Sequence, residues 1–291
     1  MSRAIGLIGV GLMGAGIAYN LLRAGHRLTL LDHPGNQPMD ELIGLGATLA
    51  GTPAALAAGV ECVLLCVPGS PEVEAVLTGP EGVLSAMRPG TVIIDCSTSV
   101  PESTLRLAEQ VRAAGGRFVD APMTRTPTHA RAGTLNLLVG AVPEDLEAVR
   151  PVLAAFSESI THVGPVGAGH RMKLIHNFVS LGSVALMAEA AALAVDAGID
   201  GDGLVEVLQR GGGWGAALDR LAPYLRERDA SGLRFAMAHA EKDLGYYCDM
   251  ATAAGAAQAI AGAVRDTYRA GRARGGDRAW VPTLVDQLRR A

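Results

Sequence analysis

The sequence predicts an α/β protein: an open parallel-sheet domain followed by an all-α domain with one long helix. Two observations carry this reading. Up to about residue 160, short β-type runs alternate with helix-compatible stretches, the pattern of successive βαβ units. From about residue 165 the strands disappear, and 169–197 reads as one helix of roughly 28 residues with little to break it beyond Gly182. The expected division is 1–163 for the sheet domain and 164–291 for the helical one.

In chain order, AIGLIGV is the first expected strand and RLTLLD the second. ECVLLCV, TVIIDC and RFVDAP follow, and PEDLEAVRPVLAAF is a helix late in the same domain. Pro68, Gly69, Pro89, Gly90, Gly115 and Gly116 punctuate the joints. In the second half LVEVLQ, ALDRLAPYLRER and AHAEKDLGYYCDMATAAG continue the helical pattern.

Composition removes several classes of function. The 291 residues are 49% hydrophobic and 19% charged, which describes a folded chain with a sizeable core. Lys and Arg total 25 against 29 acidic residues, a net charge of -4, with no basic block and only 4% aromatics. Nucleic-acid binding, which needs clustered cations and stacking platforms, is not expected. Cys62, Cys66, Cys96 and Cys248 form no CxxC pair and no Cys/His cluster, so no metal site is expected. No cleavable leader pattern and no uninterrupted apolar run of about 18 residues is read, so a cytoplasmic protein without membrane contact is expected.

Gly9, Gly11 and Gly14 form GxGxxG directly after the first strand, at the start of the helix LMGAGIAYNLLRAGH. Gly9 suits a tight turn, Gly11 lets the backbone approach a pyrophosphate, and Gly14 lets helix and strand pack closely. Leu12 and Met13 share this loop, and the helix N-terminus offers free N–H groups to an anion. The first domain is therefore expected to be of Rossmann type. Asp32 ends the second strand, where a carboxylate accepts a ribose 2′-hydroxyl and repels a 2′-phosphate. His33, Pro34 and Gly35 supply no arginine for that phosphate, so NAD is expected rather than NADP.

On the long helix Lys173, His176, Asn177 and Ser180 follow i, i+3, i+4, i+7 spacing and share one face. Met172, Leu174, Ile175, Phe178 and Val179 flank them and are expected to be buried. A lysine in that setting needs a partner or a cleft, and beside a carbinol it can serve as general acid and base. A solvated helix face is the plainer reading of the same spacing, and His176 could serve as a simple hydrogen-bonding group.

Four stretches in order, GLIGVGLMGAGIAYNLLRAGH, DAPMTRTPTHARAGTLNLLVG, GAGHRMKLIHNF and the KDL at 242–244, resemble the β-hydroxyacid (3-hydroxyisobutyrate) dehydrogenase family over essentially the whole chain. The resemblance implies that Lys173 is the catalytic lysine, that Asn177 orients the substrate, and that Thr124 stands where a substrate-binding serine is usual. It implies further that Ser97 and Thr98 lie beside the nicotinamide, with Val67, Pro68 and Lys242 lining the cofactor cleft. Trp214 on the substrate side and Phe235 on the cofactor side are expected as apolar pocket walls or as ordinary packing.

The chain departs further from the family pattern. Arg125 and Thr126 replace a usual Gly-Gly, and His176 replaces the first asparagine of a pair. A guanidinium in the substrate loop suits a carboxylate or sulfonate through paired charge-assisted bonds. An outward-pointing loop arginine is the alternative. The loop is similar in part to that of the 3-sulfolactaldehyde reductase branch. The expected activity is NAD-dependent, reversible hydride transfer on a small 3-hydroxy acid or its semialdehyde, with Lys173 moving the hydroxyl proton. A small anionic hydroxyacid or aldehyde is the expected partner, and a homodimer or homotetramer the expected assembly. A non-catalytic dinucleotide-binding relative and an imine reductase would each lack Lys173, and a phosphogluconate-type decarboxylase typically needs a longer helical domain.

Overall fold

The computed structural model describes residues 2–289. The chain divides into two compact units, Met1–Lys173 and Leu174–Ala291. In the first unit β1 (Ala4–Ile8), α1 (Leu12–Arg23), β2 (Arg27–Leu31), α2 (Asp40–Gly44), β3 (Thr48–Ala50) and α3 (Pro53–Ala57) form the first winding. Then come β4 (Cys62–Leu65), α4 (Ser70–Thr78), β5 (Val92–Asp95), α5 (Pro101–Ala113) and β6 (Arg117–Asp120). The unit continues through β7 (Met123–Thr124), α6 (Pro127–Ala132), β8 (Leu135–Gly140), α7 (Pro143–Leu153) and β9 (Ser157–Gly164).

Strand order is β3-β2-β1-β4-β5-β6-β8-β7, with β9 on β8. β3 through β6 run parallel, and every residue of β1, β4 and β5 is buried, as expected of strands covered by helices on both faces. The order reverses at β1 and β4, the place where such sheets open a crevice beyond their carboxyl ends. The sheet is parallel over most of its width, as expected, with one local departure. The sheet is not parallel throughout, because β8 runs antiparallel to both β6 and β7. A two-residue strand such as β7 is too short to show a period, and LNLLVG lies outside the expected strands.

α8 (Ala168–Asp196) leads into the second unit, which holds α9 (Gly201–Arg210), α10 (Ala216–Glu227), α11 (Met237–Ala253), α12 (Ala259–Gly275) and α13 (Leu284–Leu288). Leu181, Val184, Ala185, Ala188 and Ala191 of α8 pack with Leu221, Met237, Leu244, Tyr268 and Leu284 in its core. The Tyr268 hydroxyl, fully buried, donates to the Leu181 carbonyl at 3.0 Å. By length and composition alone α8 could cross a membrane, with a mean hydropathy of 1.9 over its most apolar 18 residues. Its surroundings also correct an expectation. Leu174 is buried, but Met172, Ile175 and Val179 are exposed, and so are Leu186 and Leu193 further along. A helix that is apolar on most sides does not tell from its sequence which stripe meets its own core.

Candidate active site

The glycine loop is built as a cradle. Gly9 has φ +99°, in the left-handed region that favours glycine, and a Cβ on Gly14 would lie 1.9 Å from the Gly9 carbonyl oxygen. A Cβ on Gly11 would meet nothing within 4 Å, so the loop faces open space. No side chain caps α1 and no acidic residue stands in its first turn, which suits a helix end that receives a phosphate. Leu12 is exposed, whereas Met13 packs partly against the core. Asp32 follows β2 directly and is exposed to solvent. These residues fit a dinucleotide.

At the carboxyl ends of the next strands, a set of buried polar groups organises the neighbouring segments. Asp95 closes β5, and its Oδ1 accepts the Ser97 backbone N–H at 2.9 Å while Oδ2 accepts the Ser99 hydroxyl at 3.3 Å. Ser97 Oγ in turn accepts the Val67 N–H at 3.1 Å, which joins two of the expected cofactor-side segments. Thr98 is half-buried and Pro68 exposed. Asp120 closes β6 and caps α8, accepting the N–H of Gly167 at 2.7 Å and of His170 at 2.9 Å. Burial pushes the Asp120 carboxyl above the ordinary aspartate range, opposed by His170 and by the two N–H donors. His170 is wholly enclosed and contacts Thr104 through Nδ1 at 2.7 Å. Lys173 stands one turn further along α8, half-buried.

A second linked set lies in the helical unit. Asn177, 6% exposed, donates its side-chain amide to Asp243 Oδ2 at 2.6 Å. Its Oδ1 is 3.0 Å from Nδ1 of the exposed His176, so the amide orientation assigns Nδ1 as the donor. Lys242 Nζ pairs with Asp243 Oδ1 at 2.9 Å and lies over the Tyr246 ring at 4.8 Å. Asp243, itself 2% exposed, thus organises two expected site residues.

Comparison with known proteins agrees with this geometry. Residues 4–164 match the family described as the NAD binding domain of 6-phosphogluconate dehydrogenase. Residues 167–285 match the one described as NAD-binding of NADP-dependent 3-hydroxyisobutyrate dehydrogenase. The chain is 36% identical to the 3-hydroxyisobutyrate dehydrogenase of Pseudomonas aeruginosa over 220 residues, 76% of this chain and 74% of that one. The chain belongs to the β-hydroxyacid dehydrogenase family. It is also 33% identical to the 3-sulfolactaldehyde reductase of Escherichia coli over 289 residues, covering 98% of this chain and 96% of that one. Among solved structures it resembles Mycobacterium tuberculosis 3-hydroxyisobutyrate dehydrogenase with L-serine, with a TM-score of 0.87, 28% identity and full coverage of both chains. As a family member it is an oxidoreductase of hydroxyacids that uses a nicotinamide cofactor.

The remaining expected site residues of this β-hydroxyacid dehydrogenase belong to neither hydrogen-bonded set. Thr124 is buried at the end of β7, and Thr126 Oγ1 is 2.8 Å from His129 Nδ1. Arg125 takes φ +80° and turns its guanidinium onto the Thr134 carbonyl, at 2.6 Å, and onto the Glu158 carboxylate. Trp214 is 69% exposed between α9 and α10, and Phe235 packs against the helical core beside His239. Asp95, Asp120, His170 and Asp243 were not among the expected site residues. Strand-end aspartates in DCSTS and VDAP, and the aspartate in KDL, were the available signals.

Proposed function

We propose that the protein is an NAD-dependent dehydrogenase of a small 3-hydroxy acid, with Lys173 as its acid–base group. The arrangement that carries the reading is Lys173 on α8 one turn beyond the Asp120-capped start, with Asn177, held by Asp243, on the following turn. Lys173 takes the hydroxyl proton as the alcohol is oxidised, and returns it to the carbonyl oxygen in the reverse direction. The nicotinamide cofactor, when bound, exchanges hydride with the carbinol carbon. Asn177 and Thr124 hold the acid group at a fixed distance from that carbon, which is catalysis by orientation. Gly9, Gly11, Leu12, Met13 and Gly14 receive the pyrophosphate, and Val67, Pro68, Ser97, Thr98, Phe235 and Lys242 line the rest of the cofactor's course. Asp32, with His33, Pro34 and Gly35 after it, supports NAD over NADP. The first domain, 1–163, would hold the cofactor, and 164–291 would complete the substrate site and carry the subunit contacts of a homodimer or homotetramer in the cytoplasm.

A second reading, reduction of a small sulfonated aldehyde, is supported by Arg125 and by the full-length similarity to a 3-sulfolactaldehyde reductase. His176, Thr126 and Trp214 would then shape the same pocket. The test is reduction of NAD+ and NADP+ across 3-hydroxyisobutyrate, 3-hydroxypropionate, 4-hydroxybutyrate, glycerate and 2,3-dihydroxypropanesulfonate, repeated on Lys173→Ala. NAD+-linked turnover of one acid, reduced by about a hundredfold or more in the variant, is the expected result. Tight NADH binding with no turnover of any acid would overturn the reading in favour of a non-catalytic relative or an acid outside this class.

A further inference from the structure

We propose that His170 is a positioning residue that sets the orientation of Lys173, an inference resting on the lysine's proton-transfer role. The two residues are three apart on α8 and therefore neighbours on its surface. His170 is 0% exposed and is held by three separate elements. The Thr104 hydroxyl on α5 lies 3.2 Å from the Val100 carbonyl, to which it donates, so it accepts from His170 Nδ1 at 2.7 Å. That places a proton on Nδ1. Nε2 faces Asp95 Oδ2 at 3.8 Å and makes no hydrogen bond among the described residues, while the backbone N–H is fixed on Asp120 Oδ2 at 2.9 Å.

Packing alone does not account for this side chain. An apolar residue would fill the volume without desolvating an imidazole between two buried carboxylates. What the imidazole adds is direction. Asp95 also fixes Ser97, and through Ser97 the Val67 N–H, so the cofactor-side segments and the first turn of α8 converge on one ring. A ring that tilts moves the lysine relative to the segment it must work beside, and displacements of this kind are expensive in rate.

The chain contains two lysines, Lys173 and Lys242, so protein grown on 13C-lysine gives two side-chain ammonium-bearing spin systems, assigned with Lys242→Arg. We would follow both signals against pH in the full-length wild type, His170→Ala, His170→Asn and Thr104→Val. In parallel, kcat and KM would be measured with NAD+ and the acids named above. In His170→Ala the Lys173 titration is expected to move and kcat to fall by about tenfold to a hundredfold, with KM changed by only about threefold. His170→Asn, whose amide nitrogen replaces Nδ1 opposite Thr104, is expected to restore both, and the Lys242 signal is expected to stay in place throughout. Thr104→Val removes the acceptor but keeps the imidazole. It should move Lys173 in the same sense, and it serves if His170→Ala does not fold. A Lys173 titration identical in wild type, His170→Ala and Thr104→Val, or a folded His170→Asn that restores nothing, would overturn the inference. The NMR comparison needs no turnover. A wild type that oxidises none of the acids overturns the dehydrogenase reading, and the Lys173 signal still decides the part played by His170.

Discussion

Arg125 reaches across to the Glu158 carboxylate while its own backbone sits at φ +80°, a conformation glycine adopts without strain. The left-handed backbone costs on the order of 1 kcal/mol, and an ion pair between partly exposed groups returns no more than about that. Arg125→Gly is therefore expected to fold with a stability within about 1 kcal/mol of wild type in urea titration. Glu158→Gln is the informative partner change. If Arg125 serves a substrate anion, releasing it should lower KM for the sulfonate a few-fold, and an unchanged KM retires that role.

Two neighbouring glycines should fail in different ways. Gly11→Ala adds a methyl group to open space, so thermal stability should hold while NADH affinity, followed by fluorescence titration, falls by about tenfold or more. Gly14→Ala drives a methyl group against the Gly9 carbonyl and should cost about 1 to 3 kcal/mol of stability before any cofactor is added. Equal losses of stability in the two variants would contradict the cradle.

Asp243 should be costly to truncate. Asp243→Ala leaves the buried Asn177 amide without its acceptor and Lys242 without this ion pair, an expected loss of about 1 to 3 kcal/mol. Asp243→Asn keeps the shape and one carbonyl acceptor, and should lose less in the same denaturant experiment.

Alkaline pH tests the helical unit. Burial, together with donation of its proton to Asp286, pushes the Tyr224 phenol up to about 12 from an ordinary 10. The folded chain thus holds this proton more tightly than the unfolded one. Its stabilising contribution is complete below pH 10 and is lost as pH rises through about 12. Tyr224→Phe should flatten that part of the stability-against-pH curve, measured by urea midpoints from below pH 10 upward.

Leu186 and Leu193 are 73% and 72% exposed and seven residues apart, on one face of α8. Bare leucines on that stripe favour subunit contact. Replacing both with glutamate is expected to yield a monomer by sedimentation velocity, against the dimer or tetramer expected of the wild type. A monomeric wild type at micromolar concentration would remove the assembly proposal.

The sequence made some of this legible because some residues do local work. The turn at Gly9, the strand before it and the helix after it are defined within a few residues, and the spacing of Lys173 and Asn177 holds wherever α8 packs. The carboxylates were hidden because their partners are remote. Asp120 accepts from Gly167, 47 residues on, and Asn177 meets Asp243, 66 residues away. The exposure of Met172, Ile175 and Val179 was equally out of reach, since an apolar side chain reads the same whether it faces its own core or another surface. Arg125 showed as a departure from the family pattern, but its pairing with Glu158 depends on where β9 lies.

Restricting lysine to the half-buried Lys173 and the Asp243-paired Lys242 has a practical consequence at the bench. Succinimidyl dyes, aldehyde cross-linkers and amine-coupled sensor chips find no other side-chain amine on this protein. Tethering by this chemistry would pass through the α-amino group or through the two lysines proposed to serve the reaction and the cofactor. Immobilisation through an engineered surface cysteine or an affinity tag avoids that conflict, because burial raises all four native thiols, Cys66 to about 12 and Cys62, Cys96 and Cys248 above their ordinary value.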